Sequence, residues 1–137
     1  MKTFTAPFAQ TSKTYTAVTT AACVIGSADA PTNTVLLATA GTEGSLVTKI
    51  DNIPRGTVTA TAMYLFVSND SGTTKRLIAS ELIGAYTLAA TTAIPKTSFT
   101  GVSETTPIRL EAGASLYIGA GVATASGIVT LCELTDF

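Results

Sequence analysis

Short runs of strand-forming residues follow one another along almost the whole chain, and Gly, Pro, Asn and Asp separate them. Residues 57–68 alternate Thr with Val or Ala and then become apolar on both faces, as in a strand covered on both sides over half its length. Asn69-Asp70-Ser71-Gly72 follows, a sequence that favours a hairpin turn. The best helical window, residues 77–88, lacks a continuous i, i+3, i+4 apolar stripe. The predicted strands are residues 16–25, 34–40, 45–53, 57–68, 74–83, 107–110, 115–120 and 127–134, with residues 85–90 as a further candidate.

About eight short strands predict an all-β domain, an antiparallel sandwich or barrel. We expect a jelly-roll-like β-sandwich over residues 15–137, preceded by an extended N-terminal arm over residues 1–14. In a jelly roll the first and last strands are neighbours, which would bring Cys23 close to Cys132. Both cysteines lie in apolar runs and are expected to be free, reduced core residues; a disulfide is the alternative that the sequence leaves open.

The chain is poor in charge, which limits the functions it can serve. Only 12% of its residues are charged, the net charge is −1, and there is no histidine. The basic residues are scattered apart from Lys75-Arg76, so we expect no nucleic-acid partner. Histidine is the commonest general base and metal ligand, and the dispersed carboxylates show no catalytic or metal-binding spacing. We therefore expect a protein that is not an enzyme and has no metal or cofactor.

The same composition favours a surface that a protein partner partly covers, because exposed apolar patches mark interfaces. The alternative is a sandwich coated with threonine hydroxyl groups. No run reaches the roughly 20 apolar residues of a membrane helix, and residues 1–8 do not read as a signal peptide. We expect no membrane partner and synthesis in the cytoplasm.

The N-terminal arm is the first candidate interface. Phe4, Pro7 and Phe8 interrupt an otherwise polar segment. An extended arm can add as a strand to the sheet edge of a neighbouring molecule, with aromatic side chains as anchors. The alternative is that the arm folds back as an edge strand of its own domain.

The doubly apolar strand is the second candidate. Met63, Tyr64 and Phe66 lie with Leu65 where both faces of the strand become apolar. One interpretation is that these residues form a subunit interface in addition to the core. The other is that they belong to the core alone.

Three segments resemble a known family: GSLVTKIDNIPRG at 44–56, MYLFVSNDSGTTKRLI at 63–78 and PIRLEAGASLYIGAG at 107–121. They are similar to the β-sandwich capsid decoration, cement and head-fibre-base proteins of tailed bacteriophages and gene transfer agents. The resemblance implies a structural virion protein that binds the major capsid protein on the capsid exterior, often as a homotrimer, and assembles in the host cytoplasm. The family has no catalytic motif to carry over.

Two other functions use a similar scaffold. A head-fibre, spike or tail component would recognise a host surface rather than the capsid. A carbohydrate-binding module would need exposed aromatic platforms, and the chain has no tryptophan and only four tyrosines.

Overall fold

A computed structural model of the chain describes residues 11–137, which form two antiparallel β-sheets. The strands are β1 (Thr11–Thr19), β2 (Val35–Thr39), β3 (Ser45–Pro54), β4 (Thr61–Ser68), β5 (Arg76–Ile83), β6 (Thr97–Ser98), β7 (Ile108–Leu110), β8 (Ser115–Ala120) and β9 (Ile128–Asp136). In the first sheet the order is β1-β9-β3-β6, and β7 also pairs with β3. In the second sheet the order is β2-β8-β4-β5. The predicted all-β sandwich is confirmed; within residues 11–137 no helix is long and apolar enough to cross a membrane.

The first and last described strands are neighbours, as the jelly-roll prediction requires. β1 pairs with β9 along its whole length, from Thr11 opposite Asp136 to Thr19 opposite Ile128. The jelly-roll topology as such stays a prediction. The arm boundary differs from expectation, because residues 11–14 are already part of β1 and hydrogen-bond to β9. Residues 1–10, with Phe4, Pro7 and Phe8, lie outside the described residues.

The expected neighbourhood of the two cysteines is wrong. Cys132 lies in the core between the sheets, opposite Tyr15 of β1. Cys23 follows β1 by four residues, where the chain has already crossed to the second sheet, and its N–H donates to the carbonyl of Ala120 over 2.6 Å. The predicted strand 16–25 extends six residues beyond the observed end of β1 at Thr19. Both thiols are free.

The core consists of the inward-facing residues of both sheets. In β4, Met63 and Leu65 belong to it, and Leu65 lies opposite Ile118 of β8. A polar pair is also enclosed, because the Thr130 hydroxyl donates to Asn52 Oδ1 over 2.8 Å and both residues are fully buried. Such a pair is stable inside a protein only while each polar atom keeps its partner.

Contacts at the two sides of the sandwich define which strands form its edges. On one side β1 lies over β2, and the Tyr15 hydroxyl donates to the carbonyl of Thr39 over 3.4 Å. On the opposite side β5 approaches the segment after β6, where the N–H of Thr100 donates to Glu81 Oε1 over 2.9 Å. β1 and β5 therefore lie on opposite sides of the molecule.

The hairpin between β4 and β5 has the predicted turn. Asp70 Oδ1 accepts hydrogen bonds from the Ser68 hydroxyl and the N–H of Thr74, and Gly72 has a φ of 90° that suits glycine. The strand β6 was not predicted, and residues 85–90 form only an isolated bridge between Tyr86 and Val58.

Candidate interaction surface

Most of the doubly apolar strand is buried inside the single chain. Met63 and Leu65 lie in the core, and Phe66, although on the outer face of β4, has no exposed surface. Tyr64 is half-buried on the same outer face, with its ring edge-on to Phe66 at a centroid distance of 6.5 Å. Met63 and Phe66 thus offer no surface to a partner, which corrects their assignment as interface residues; Tyr64 alone of the three keeps some exposure.

The segment between β1 and β2 explains why Phe66 is buried. We call residues 20–34 the cover segment. Its Cys23 packs on Gly119 of β8: a Cβ at position 119 would lie 2.8 Å from Cys23 Sγ and 3.7 Å from Phe66 Cε2. The side chains of Cys23 and Phe66 therefore both lie beside a glycine that leaves room for them.

The cover segment is held by a polar contact between its two ends and by polar contacts from its middle to the start of β5. The Asn33 side-chain N–H donates to the carbonyl of Ala22 over 2.7 Å. Near β5, the carbonyl of Asp29 accepts from the N–H of Lys75 over 2.8 Å, and the Asp29 carboxylate lies 3.2 Å from Arg76 Nε. The ion pair is largely exposed and contributes little by itself, so the backbone hydrogen bonds hold the segment.

Apolar side chains remain exposed along β5. Leu77, Ile78 and Leu82 keep 44%, 43% and 66% of their surface accessible, and we call them the β5 patch. Ile78 and Leu82 alternate with Ala79 and Ile83, which pack in or against the core, so they lie on the outer face. Leucine and isoleucine are normally among the most buried residues, so their exposure on an edge strand makes the β5 patch a candidate interaction surface.

The β5 patch could not be predicted from the sequence, for a physical reason. Residues 76–83 carry apolar side chains at both odd and even positions, so period-2 alternation does not show which set faces the core. The register also shifts between Leu65 and Phe66, so that Ile78 is an extra residue without an opposite partner on β4. Such a bulge cannot be read from the sequence of either strand.

Two buried carboxylates are the strongest charged features outside this surface. Asp136 lies 2.6 Å from Lys13 Nζ and accepts a hydrogen bond from the Ser45 hydroxyl. Burial by itself would raise the pKa of Asp136, but these hydrogen bonds and the charge of Lys13 outweigh it and lower the pKa. The carboxylate therefore fastens β1, β3 and β9 together at one end of the first sheet.

Asp51 on β3 forms the second carboxylate site. Its Oδ1 accepts a hydrogen bond from Ser98, and its Oδ2, which has no aligned hydrogen-bond donor, lies 3.3 Å from Lys49 Nζ and 3.5 Å from Lys96 Nζ. Burial would raise the pKa of Asp51, but Ser98 and the two ammonium groups lower it. This arrangement neutralises the carboxylate and ties β6 to β3.

An open polar cleft of about 450 Å³ lies beside Lys49 and Ser98. Among residues 11–137, no group of three or more histidine, cysteine or acidic side chains is placed to hold a metal ion.

Comparisons with protein-family models, curated proteins and solved structures gave no match to this chain. The resemblance to phage structural proteins therefore depends on the three quoted sequence segments alone.

Proposed function

We propose that this chain is a structural virion protein that binds the outside of a phage capsid and stabilises it, acting as a homo-oligomer, with a trimer favoured. The β5 patch is the observation that carries the proposal. It exposes three large aliphatic residues on a small sandwich in which only 12% of residues are charged. Covering such a surface with a protein partner lowers the free energy by roughly 25 cal/mol per Å² of apolar area removed from water.

The rest of the sandwich suits a scaffold that binds through its surface. The carboxylates Asp51 and Asp136 are each neutralised by lysine and fasten strands together. The hydroxyl-rich outer side of β1 is exposed at Ser12, Thr14 and Thr16. A decoration protein needs only a weak contact per subunit, since many copies on one lattice and several sites per oligomer add up to stable attachment.

The proposal is tested on purified particles of the phage or gene transfer agent that encodes the chain. Mass spectrometry of the particles is expected to find the protein, and added recombinant protein is expected to cosediment with capsids that lack it. Electron microscopy of the decorated particles is expected to show density lying flat between capsomers. Density that projects from a vertex or tail would favour the host-recognition alternative, and particles that neither contain nor bind the protein would overturn the proposal.

A further inference from the structure

We propose that the N-terminal residues 1–10 of one copy dock along β5 of a neighbouring copy, with Phe4 and Phe8 on the β5 patch. The inference deepens the homo-oligomer part of the proposed function and rests on it. Four observations carry it: the free edge of β5, the spacing of its exposed side chains, the position of Pro7, and the place where the N-terminal segment leaves the sandwich.

β5 has an edge that can accept another strand. It is eight residues long and, among the described strands, pairs only with β4. The other described edge strands differ from it: β2 has five residues, and β6 and β7 have two and three. β1 is long, but its exposed residues are mainly Thr, Ser and Lys. Long, apolar strand edges are rare in proteins without a partner, because unpaired N–H and C=O groups there template further pairing.

The N-terminal segment has matching anchors. Phe4 and Phe8 are four positions apart and so would share one face of an extended strand, about 13 Å from each other. Ile78 and Leu82 on the outer face of β5 have the same separation. Paired side by side, each phenylalanine would lie next to an exposed aliphatic side chain, and cross-strand contacts between apolar side chains stabilise sheets.

Pro7 fits the outer edge of such a strand. Successive N–H groups in a strand point to opposite sides, so a strand bonded through Phe4, Ala6 and Phe8 leaves the nitrogen of Pro7 on the far side. Proline is tolerated in sheets where its missing N–H would face solvent. Pro7 would also prevent the addition of a further strand, which limits assembly to one arm per edge.

The β5 of the same copy is out of reach for these anchors. β1 lies over β2, and β2 is separated from β5 by β8 and β4, which makes three strand spacings of about 4.8 Å, or about 14 Å, in addition to the distance between the sheets. Phe8 precedes Thr11 by only three positions, a span of at most about 11 Å. The acceptor is therefore the β5 of another copy.

Exchange of this kind joins two different surfaces, and such head-to-tail contacts form a ring when the rotation between neighbouring copies closes. In such a ring, residues 1–10 and the β5 edge of every copy are both used. The trimer that the resemblance favours is the smallest ring of this kind without twofold symmetry.

Sedimentation velocity of the full chain and of variants tests the exchange. The full chain is expected to assemble at micromolar concentration, whereas a chain lacking residues 2–10, the double variant F4A/F8A and the variant Leu82→Lys are expected to sediment as monomers. The matched control is Leu36→Lys, because Leu36 is 50% exposed on β2, the opposite edge of the same sheet; it is expected to assemble normally. A monomeric full chain, or a truncated chain that assembles like the full one, would overturn the proposal.

Cross-linking between two separately made variants tests the position. Ala6 lies midway between the phenylalanines and Ser80 midway between Ile78 and Leu82, so Ala6→Cys and Ser80→Cys face each other whether the strands pair parallel or antiparallel. An oxidised mixture is expected to give a disulfide-linked dimer, and a mixture of Ala6→Cys with Leu36→Cys is not. Equal yields in the two mixtures would contradict docking at β5.

Capsid cosedimentation, measured separately, distinguishes the two proposals. An oligomer with exchanged arms that fails to bind capsids would overturn the proposed function and leave the arm exchange standing. A monomer that binds capsids fully would overturn the arm exchange and the homo-oligomer part of the proposed function, and would leave capsid binding standing.

Discussion

The Cys23 side chain packs directly on the backbone of Gly119 and thereby fastens the cover segment to the outer face of the second sheet. A Cβ at position 119 would lie 2.8 Å from both Cβ and Sγ of Cys23, closer than such atoms approach in proteins. The same contact shields Phe66, which explains how an aromatic residue on an outer face is fully buried.

Gly119→Ala is expected to destabilise the protein by about 1–3 kcal/mol, because the added methyl group forces Cys23 and the cover segment to shift. Urea unfolding measures the change. The matched control is Gly101→Ala, since a Cβ at Gly101 would have no atom within 4 Å and its φ is not positive; its effect is expected within about 0.5 kcal/mol. Equal losses for the two variants would contradict the close packing of Cys23.

Asp136→Asn is expected to reduce stability at pH 7 by about 1–3 kcal/mol, since it weakens a buried hydrogen bond from Ser45 and removes the charge that pairs with Lys13. The loss is expected to disappear in acid. The pKa of Asp136 is lowered in the folded protein, so its contribution is present above the unfolded pKa, near 3.8, and is lost as the pH falls through the folded value.

Urea unfolding of the parent chain and of Asp136→Asn, repeated from pH 7 down to pH 2, measures how the difference in their stability shrinks in acid. Asp29→Asn is the control, because the Asp29–Arg76 pair is largely exposed, and its effect at pH 7 is expected within about 0.5 kcal/mol. A stability difference between Asp136→Asn and the parent that stays constant over this range would show that the Asp136 charge does not stabilise the fold.

Thr130→Val is expected to cost about 1–3 kcal/mol, although valine has nearly the same shape, because it leaves Asn52 Oδ1 buried without its donor. Adding Asn52→Leu to this variant removes the orphaned polar group. The double variant is therefore expected to lose less stability than the sum of the two single variants. Strict additivity in a urea double-mutant cycle would argue against a stabilising hydrogen bond between the two side chains.

The sequence was sufficient to predict the fold class and most strands. The strand at 115–120 was predicted at its observed bounds. The burial of β4 on both faces was predicted because the alternation of Thr with Ala gives way to a continuous apolar run. The hairpin turn at 69–72 followed from the local chemistry of Asp70 and Gly72, which acts within a few residues.

Features that depend on contacts between distant segments could not be predicted in the same way. Nothing near Phe66 in the sequence indicates that Cys23 covers it from the other side of β8. The two-residue strand β6 is ordered by its pairing with β3 and by the bond from Ser98 to Asp51, not by its own composition. The β5 patch depends on a bulge, and bulges are set by how two strands fit together.

Met63 and Leu82 are expected to respond oppositely to substitution, because one lies in the core and the other on the surface. Met63→Ala is expected to destabilise the protein by about 2–5 kcal/mol, since it opens a cavity between the sheets. Leu82→Ser in a chain lacking residues 2–10 is expected to change stability by less than about 0.5 kcal/mol. A large loss for Leu82→Ser in urea unfolding would show that Leu82 packs within its own chain, which would contradict its role in the β5 patch.

The two thiols are expected to resist modification in the folded protein, and Cys132 more than Cys23. Burial raises the pKa of both, that of Cys132 to about 12. At pH 8 only about one Cys132 in ten thousand would be a thiolate, the form that reacts, and its side chain has no exposed surface.

A thiol-specific chromogenic reagent measures the reaction. In denaturant, both thiols of each chain are expected to react immediately. In the folded protein, the rate of reaction is expected to be limited by local opening of the structure. Cys23, which the cover segment carries, is expected to react first, so Cys23→Ser is expected to remove the faster phase and Cys132→Ser the slower one. Rapid labelling of Cys132 in the folded protein would contradict its place between the sheets, and a disulfide between the two cysteines would contradict the separation of Cys23 from the core.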